Sequence, residues 1–199
     1  MNSTSDWVLF SDRGLRLNKL SVLPAVIGLL LAVFSAGSLA KVYYSKQEAM
    51  TLAFGTAAEV EMLPVFLTEQ QRKEIEQLAR TKLDSNLYTW YVGKRAGEVI
   101  GYAAIETHTV RTKPETLLIV LRPDGQLQRI EVLAFHEPPE YQPPERWFAQ
   151  LFDKPIGDLR LGGAVEGITG ATLSARAALD SVRKVLAIYQ VAVAGRDQK

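Results

Sequence analysis

Thr169-Gly170-Ala171-Thr172, followed by Leu173-Ser174, gathers hydroxyl side chains where a helix is expected to begin. Downstream, Ala175, Ala178, Val182, Val185 and Leu186 recur near helical spacing. Arg176, Asp180, Arg183 and Lys184 fall on other faces, so the run predicts a helix packed on a core. The open N–H groups and positive dipole end at a helix start favour a phosphate. On this reading Thr172 presents its hydroxyl to a phosphate-bearing group. The competing reading is a plain cap, since Ser and Thr are ordinary residues at helix starts.

Other chemistries find little support. The chain has no cysteine, which excludes disulfides, thiolate nucleophiles, Cys-ligated iron–sulfur clusters and c-type haem attachment. Its two histidines, His108 and His136, lack the close spacing of a zinc site, so no metal centre is expected. No Ser-His-Asp arrangement, phosphate-binding glycine loop or dinucleotide fingerprint is visible, and no catalytic residue is assigned. A net charge of +1, without a basic cluster interleaved with aromatics, gives no field for nucleic acid.

Which elements must position Thr172? Ser45-Lys46-Gln47-Glu48 is a capping box opening a helix through about Phe54, and Thr68 to Gln71 opens another through about Lys82. Strand-like runs follow at Leu87–Val92, Val99–Thr107, Thr116–Leu121 and Gln128–Ala134, with Pro123-Asp124-Gly125 as a turn. This is a meander, consistent with a mostly antiparallel sheet. A Pro-rich loop, Glu137 to Pro144, leads to a short helix with Trp147, Phe148, Leu151 and Phe152. A glycine-containing stretch, Gly157 to Gly170, precedes the final helix. The order helix–strand–helix, sheet, then helices predicts the α+β class.

The front of the chain reads differently. Leu20 to Ala40 is a run of 21 residues without a charged side chain, long enough to cross the roughly 30 Å hydrocarbon core as a helix. Arg13, Arg16 and Lys19 precede it and place the short N-terminal flank, residues 1–19, in the cytoplasm. Residues 41–199 are then exported as one domain. Ser38-Leu39-Ala40 has the form of a signal-peptidase site, but the apolar run exceeds the roughly 7–15 residues of a signal core, so an uncleaved anchor is expected. Gly28, Ala32, Ala36 and Ala40 form a small-residue stripe suited to packing against a membrane partner.

The segment Glu166-Gly167-Ile168-Thr169-Gly170-Ala171-Thr172-Leu173-Ser174 resembles the flavinylation signature of the FMN-binding domain family. That family includes the extracytoplasmic flavin subunits of Rnf and sodium-pumping NADH:quinone reductase complexes. The resemblance implies that Thr172 carries FMN through a phosphoester made from FAD by a flavin transferase with a metal ion. It also implies that Thr169, Gly170 and Ala171 shape the turn and that Ser174 lies in the first helical turn. Glu166 stands where the family usually has Asp. His136-Glu137-Pro138-Pro139 looks like the His-x-Glu-Thr-Pro stretch that lies against the flavin ring in Rnf-type subunits, making His136, Glu137 and Pro138 candidate pocket residues.

Ala40-Lys41-Val42-Tyr43, His108-Thr109-Val110-Arg111-Thr112 and Leu161-Gly162-Gly163 are similar to a small anchored proteobacterial branch of the family. Around the flavin, Gly162, Gly163 and Gly167 are candidates for close backbone approach, Arg111 or Arg160 for the phosphate, and Tyr141 or Trp147 for stacking. Either arginine taken alone is more often a plain exposed residue, and aromatics after a Pro-rich loop are more often core. His108 and His136 are candidates for hydrogen bonds to ring carbonyls, or equally for histidines capping strand ends. The implied function is a single-pass protein of the bacterial inner membrane. Its periplasmic domain relays electrons between membrane redox partners through covalent FMN, rather than acting as a stand-alone enzyme. The alternatives are a cofactor-free module that assembles a membrane complex, and a secreted reductase.

Overall fold

A computed structural model describes residues 41, 42, 44–194 and 196. The expected anchor at 20–40, its flank and its small-residue stripe lie outside the described residues. Among the described residues, no helix is long and apolar enough to cross a membrane.

Six antiparallel strands among the described residues form one sheet in the order β1-β6-β5-β4-β3-β2. They are β1 (Lys41–Val42), β2 (Glu59–Phe66), β3 (Leu87–Arg95), β4 (Glu98–Thr109), β5 (Pro114–Leu121) and β6 (Leu127–Phe135). Among the described residues, four α-helices accompany them: α1 (Lys46–Phe54), α2 (Glu69–Ala79), α3 (Glu145–Phe148) and α4 (Thr172–Ile188). The α+β class and the meander are as the sequence predicts. Both capping boxes form: Ser45 with Glu48, and Thr68 with Gln71. The second helix stops at Ala79 rather than Lys82, because Arg80 turns into the left-handed region at φ 53°.

Strand alternation divides the core into two layers. Trp90, Val92, Tyr102, Ala104, Leu117, Ile119 and Leu121 face one side, where α2 and α4 pack. Tyr91, Ala103, Leu118, Val120 and Leu133 face the other, covered by Ala49, Met50 and Phe54 of α1. The inner strands carry continuous apolar runs because both of their faces are buried. α4 presents Ala175, Ala178, Leu179, Val182 and Val185 to its layer, all at most 2% exposed.

The free edge at β2 carries Val60, Met62 and Phe66 as exposed apolar side chains. Pro64 interrupts that edge, since it brings no N–H to a would-be neighbouring strand.

Close packing on the α1 side sets a sharp test. A Cβ on Gly93 would stand 2.3 Å from Phe54 Cδ1. Gly93→Ala is expected to destabilise the domain by about 1–3 kcal/mol through overpacking, read as a lower urea midpoint at unchanged m-value.

Candidate functional site

The start of α4 is built by a tight turn. Ala171 N–H donates to Ile168 O at 3.2 Å, closing residues 168–171, and Gly170 sits at φ +87° within it. A positive φ at the third position of a four-residue turn is the requirement that glycine meets without strain. The chain then enters α4 with Ala171 at the N-cap, where no side chain caps the helix. Thr172 is therefore the first helical residue and not the cap. Its exposed hydroxyl donates back to Ile168 O at 2.9 Å, which leaves the oxygen lone pairs turned away from that carbonyl. With no side-chain cap, the N–H groups of the first turn remain available to an anion.

What surrounds this hydroxyl? Thr172, Gly170, Ala171, Leu173 and Ser174 line a small open cleft of about 140 Å³ with Arg111 and Tyr141. The Arg111 guanidinium carbon lies 5.0 Å from the centre of the Tyr141 ring, a cation–π arrangement that orders both side chains. The cleft thus combines a hydroxyl, a helix start, a guanidinium and an aromatic face. Ligand pockets usually span about 300–1,000 Å³, so this cleft takes a phosphate-sized end and leaves a larger ligand to extend over the surface. Leu173, 51% exposed, offers an apolar contact there.

Arg111 owes its place to Glu137. The Glu137 Oε1 atom accepts from the N–H groups of Thr112 (2.7 Å), Lys113 (2.9 Å) and Arg111 (3.3 Å), and from the Thr112 hydroxyl. These donors, the Thr112 and Lys113 amides foremost, hold its carboxyl below the usual carboxylate range. Glu137 is 7% exposed and engaged in the β4–β5 turn, so it shapes the cleft wall through Arg111 instead of offering a free carboxylate to a ring. Pro138 accepts from Tyr141 N–H at 2.9 Å and so positions the aromatic side of the cleft. His136 is half-buried at the end of β6, its N–H donating to Pro114 O.

The remaining candidates sort by distance from the cleft. Trp147 is buried, and its indole N–H donates to Glu166 O at 2.7 Å, so it braces the loop before the turn and is no stacking platform. The Gln150 side-chain oxygen accepts from Glu166 N–H at 2.9 Å, while the Glu166 carboxylate stays exposed. Thr169 is exposed on the turn. Gly162 and Gly167 face open space, whereas Gly163 packs on the Arg160 side chain; neither arginine 160 nor these glycines line the cleft.

His108 lies elsewhere. One ring nitrogen, Nε2, is 2.8 Å from Glu115 Oε2, and the other, Nδ1, is 2.8 Å from Ser181 Oγ. With both nitrogens engaged, it has none left for a flavin carbonyl. Glu115 is fully buried and Ser181 is 3% exposed. The sequence shows no such hydroxyl–imidazole–carboxylate chain, because its members meet only through the β4–β5 register and the docking of α4. Beside it, Lys184 of α4 pairs with Glu106 of β4. Burial pushes the Glu106 carboxyl up, against the pull of Lys184. Among the described residues, no three His, Cys, Asp or Glu side chains cluster as a metal site.

An α+β domain with an uncapped helix start, an acceptor hydroxyl and a guanidinium is suited to holding a phosphorylated ligand. The family model of the FMN-binding domain matches residues 112–187, from the β4–β5 turn through nearly all of α4. Through this stretch the chain is similar to the FMN-binding domain family. No curated protein gives a significant match.

The role given to Glu137 has a measurable signature. Glu137→Gln should accelerate amide exchange at Thr112 and Lys113. Because the folded carboxyl is held below its unfolded value of about 4.3, its contribution is fully present above that pH and fades as pH falls through the lowered value. The stability gap between wild type and Glu137→Gln should therefore close on acidification below about pH 4.

Proposed function

We propose that this protein is a membrane-anchored flavoprotein whose exported domain carries FMN esterified to Thr172 and passes electrons between membrane redox partners. The observation that carries the reading is the exposed Thr172 hydroxyl at an uncapped helix start, with Arg111 across the cleft, inside a stretch that matches the FMN-binding domain. Flavin bound here supplies one- and two-electron chemistry.

The chain's own residues account for the attachment end. The Thr172 oxygen forms a bond to the phosphorus on the FMN side of FAD. The pyrophosphate linkage breaks, AMP leaves, and the hydroxyl proton is lost. The Arg111 guanidinium and the first-turn N–H groups neutralise the phosphate thereafter. Tyr141 and Leu173 offer the apolar and aromatic surface on which the rest of the ligand lies. Attachment is by a flavin transferase outside the membrane, and the uncharged run 20–40 keeps the domain at the periplasmic face of the inner membrane. A covalent bond suits that location, because a weakly held cofactor would be lost from the compartment.

Co-expression with a flavin transferase should give protein that fluoresces in a denaturing gel, with FMN mass on the peptide containing Thr172. Thr172→Ala should abolish the label while costing only about 1 kcal/mol of stability, the worth of the hydrogen bond to Ile168. A colourless wild-type product with bare Thr172 would instead support a cofactor-free assembly module. Arg111→Gln, by removing the phosphate's counter-charge, should slow labelling and leave thermal unfolding nearly unchanged.

A further inference from the structure

Beneath α4 runs a seam of buried polar groups that the flavin reading does not use. Two rungs cross from β4 to α4: His108 to Ser181, and Glu106 to Lys184. Glu115 of β5 backs the first rung through His108, and Asp84 lies 4.0 Å from Lys184 at the outer end of the second. Apart from Asp84, these side chains are at most 12% exposed.

The rungs run in opposite senses along the two elements, from 108 back to 106 on the strand and from 181 on to 184 on the helix. Followed the other way, the same geometry leads β4 into the turn that carries Arg111 and leads α4 back to Thr172. Nine residues, or about 13.5 Å of helix, separate Ser181 from Thr172.

Why does this half of α4 need polar rungs? Tyr189 fixes the far end, donating its hydroxyl to Pro123 O at 2.8 Å and packing on Gly125. Toward Thr172 the packed face is Ser174, Ala175, Ala178 and Leu179, so Leu179 is the one large side chain that keys this half of the helix to its layer. Hydrogen bonds are directional, so buried polar contacts discriminate between registers that apolar contacts leave nearly equal in energy.

We propose that the Glu115–His108–Ser181 chain and the Glu106–Lys184 pair form a register clamp that fixes the start of α4, and so Thr172, against the hairpin bearing Arg111. Ser181, His108 and Glu115 are thus positioning residues for the attachment of the phosphate. This rests on the FMN reading for its consequence, but the clamp has its own observable. Two of its members, Glu106 and His108, lie before the stretch that matches the family model.

The decisive comparison is Ser181→Ala against Val182→Ala in the full-length chain. Val182→Ala removes more buried surface from the same helix and should lower the melting temperature more. With purified flavin transferase, FAD and a divalent metal ion, Ser181→Ala should lower kcat for labelling about tenfold or more, KM for the protein staying within about twofold. Val182→Ala should stay within about twofold of wild type. Hydrogen exchange at Leu173–Ala178, measured relative to β5, should rise about tenfold in Ser181→Ala only. Wild-type labelling and exchange in Ser181→Ala, or equal losses in Val182→Ala, would overturn the clamp. If wild type takes no label at all, the FMN reading fails and the exchange comparison alone decides the clamp.

Discussion

Two buried carboxylates hold the turn end of the β4–β5 hairpin, and the cleft depends on that grip. Just below the turn, Glu115, paired with His108 across the strands, reaches α4 through His108 and Ser181. At the tip, Glu137 gathers three consecutive amide N–H groups. Burying a carboxylate is unfavourable unless hydrogen bonds or charges offset the desolvation. Each acid is therefore tied to one arrangement of its neighbours. The hairpin cannot tilt without uncovering one of them, and Arg111 inherits a fixed position from this.

Around that hairpin the layers set where α4 begins. Small residues on α4 let it lie close to the sheet, and Trp147 braces the loop that delivers the chain to the 168–171 turn. The turn needs Gly170 for its positive φ and Ala171 to enter the helix without capping it. A serine or aspartate at position 171 would satisfy the first-turn amides internally and weaken the attraction for a phosphate. The uncapped start thus forgoes the stability a cap would give and leaves the first-turn amides open.

Much of this was legible in the residues. The two capping boxes, the Pro123-Asp124-Gly125 turn and the strand runs are signals carried within a few neighbouring positions, and the structure follows them. Thr172 at a helix mouth was legible for the same reason. The contacts of Glu137 with residues 111–113 and of Ser181 with His108 were not, because they join positions far apart in sequence. Assigning them requires the register of β4 on β5 and the docking angle of α4. Tyr141 and Trp147 were each open to a stacking or a core reading, and burial with the bond to Glu166 O commits Trp147 to the core. Arg111 and Arg160 could not be separated by type, and only the folded turn shows which one shares a cleft with Thr172.

The edge strand β2 holds a last consequence. Val60, Met62 and Phe66 make it the kind of sticky ribbon onto which a stray chain could add itself, strand by strand, toward a fibril. Pro64 leaves a gap in the ladder such growth would need. The domain thereby tolerates an apolar rim without becoming a seed for its own aggregation.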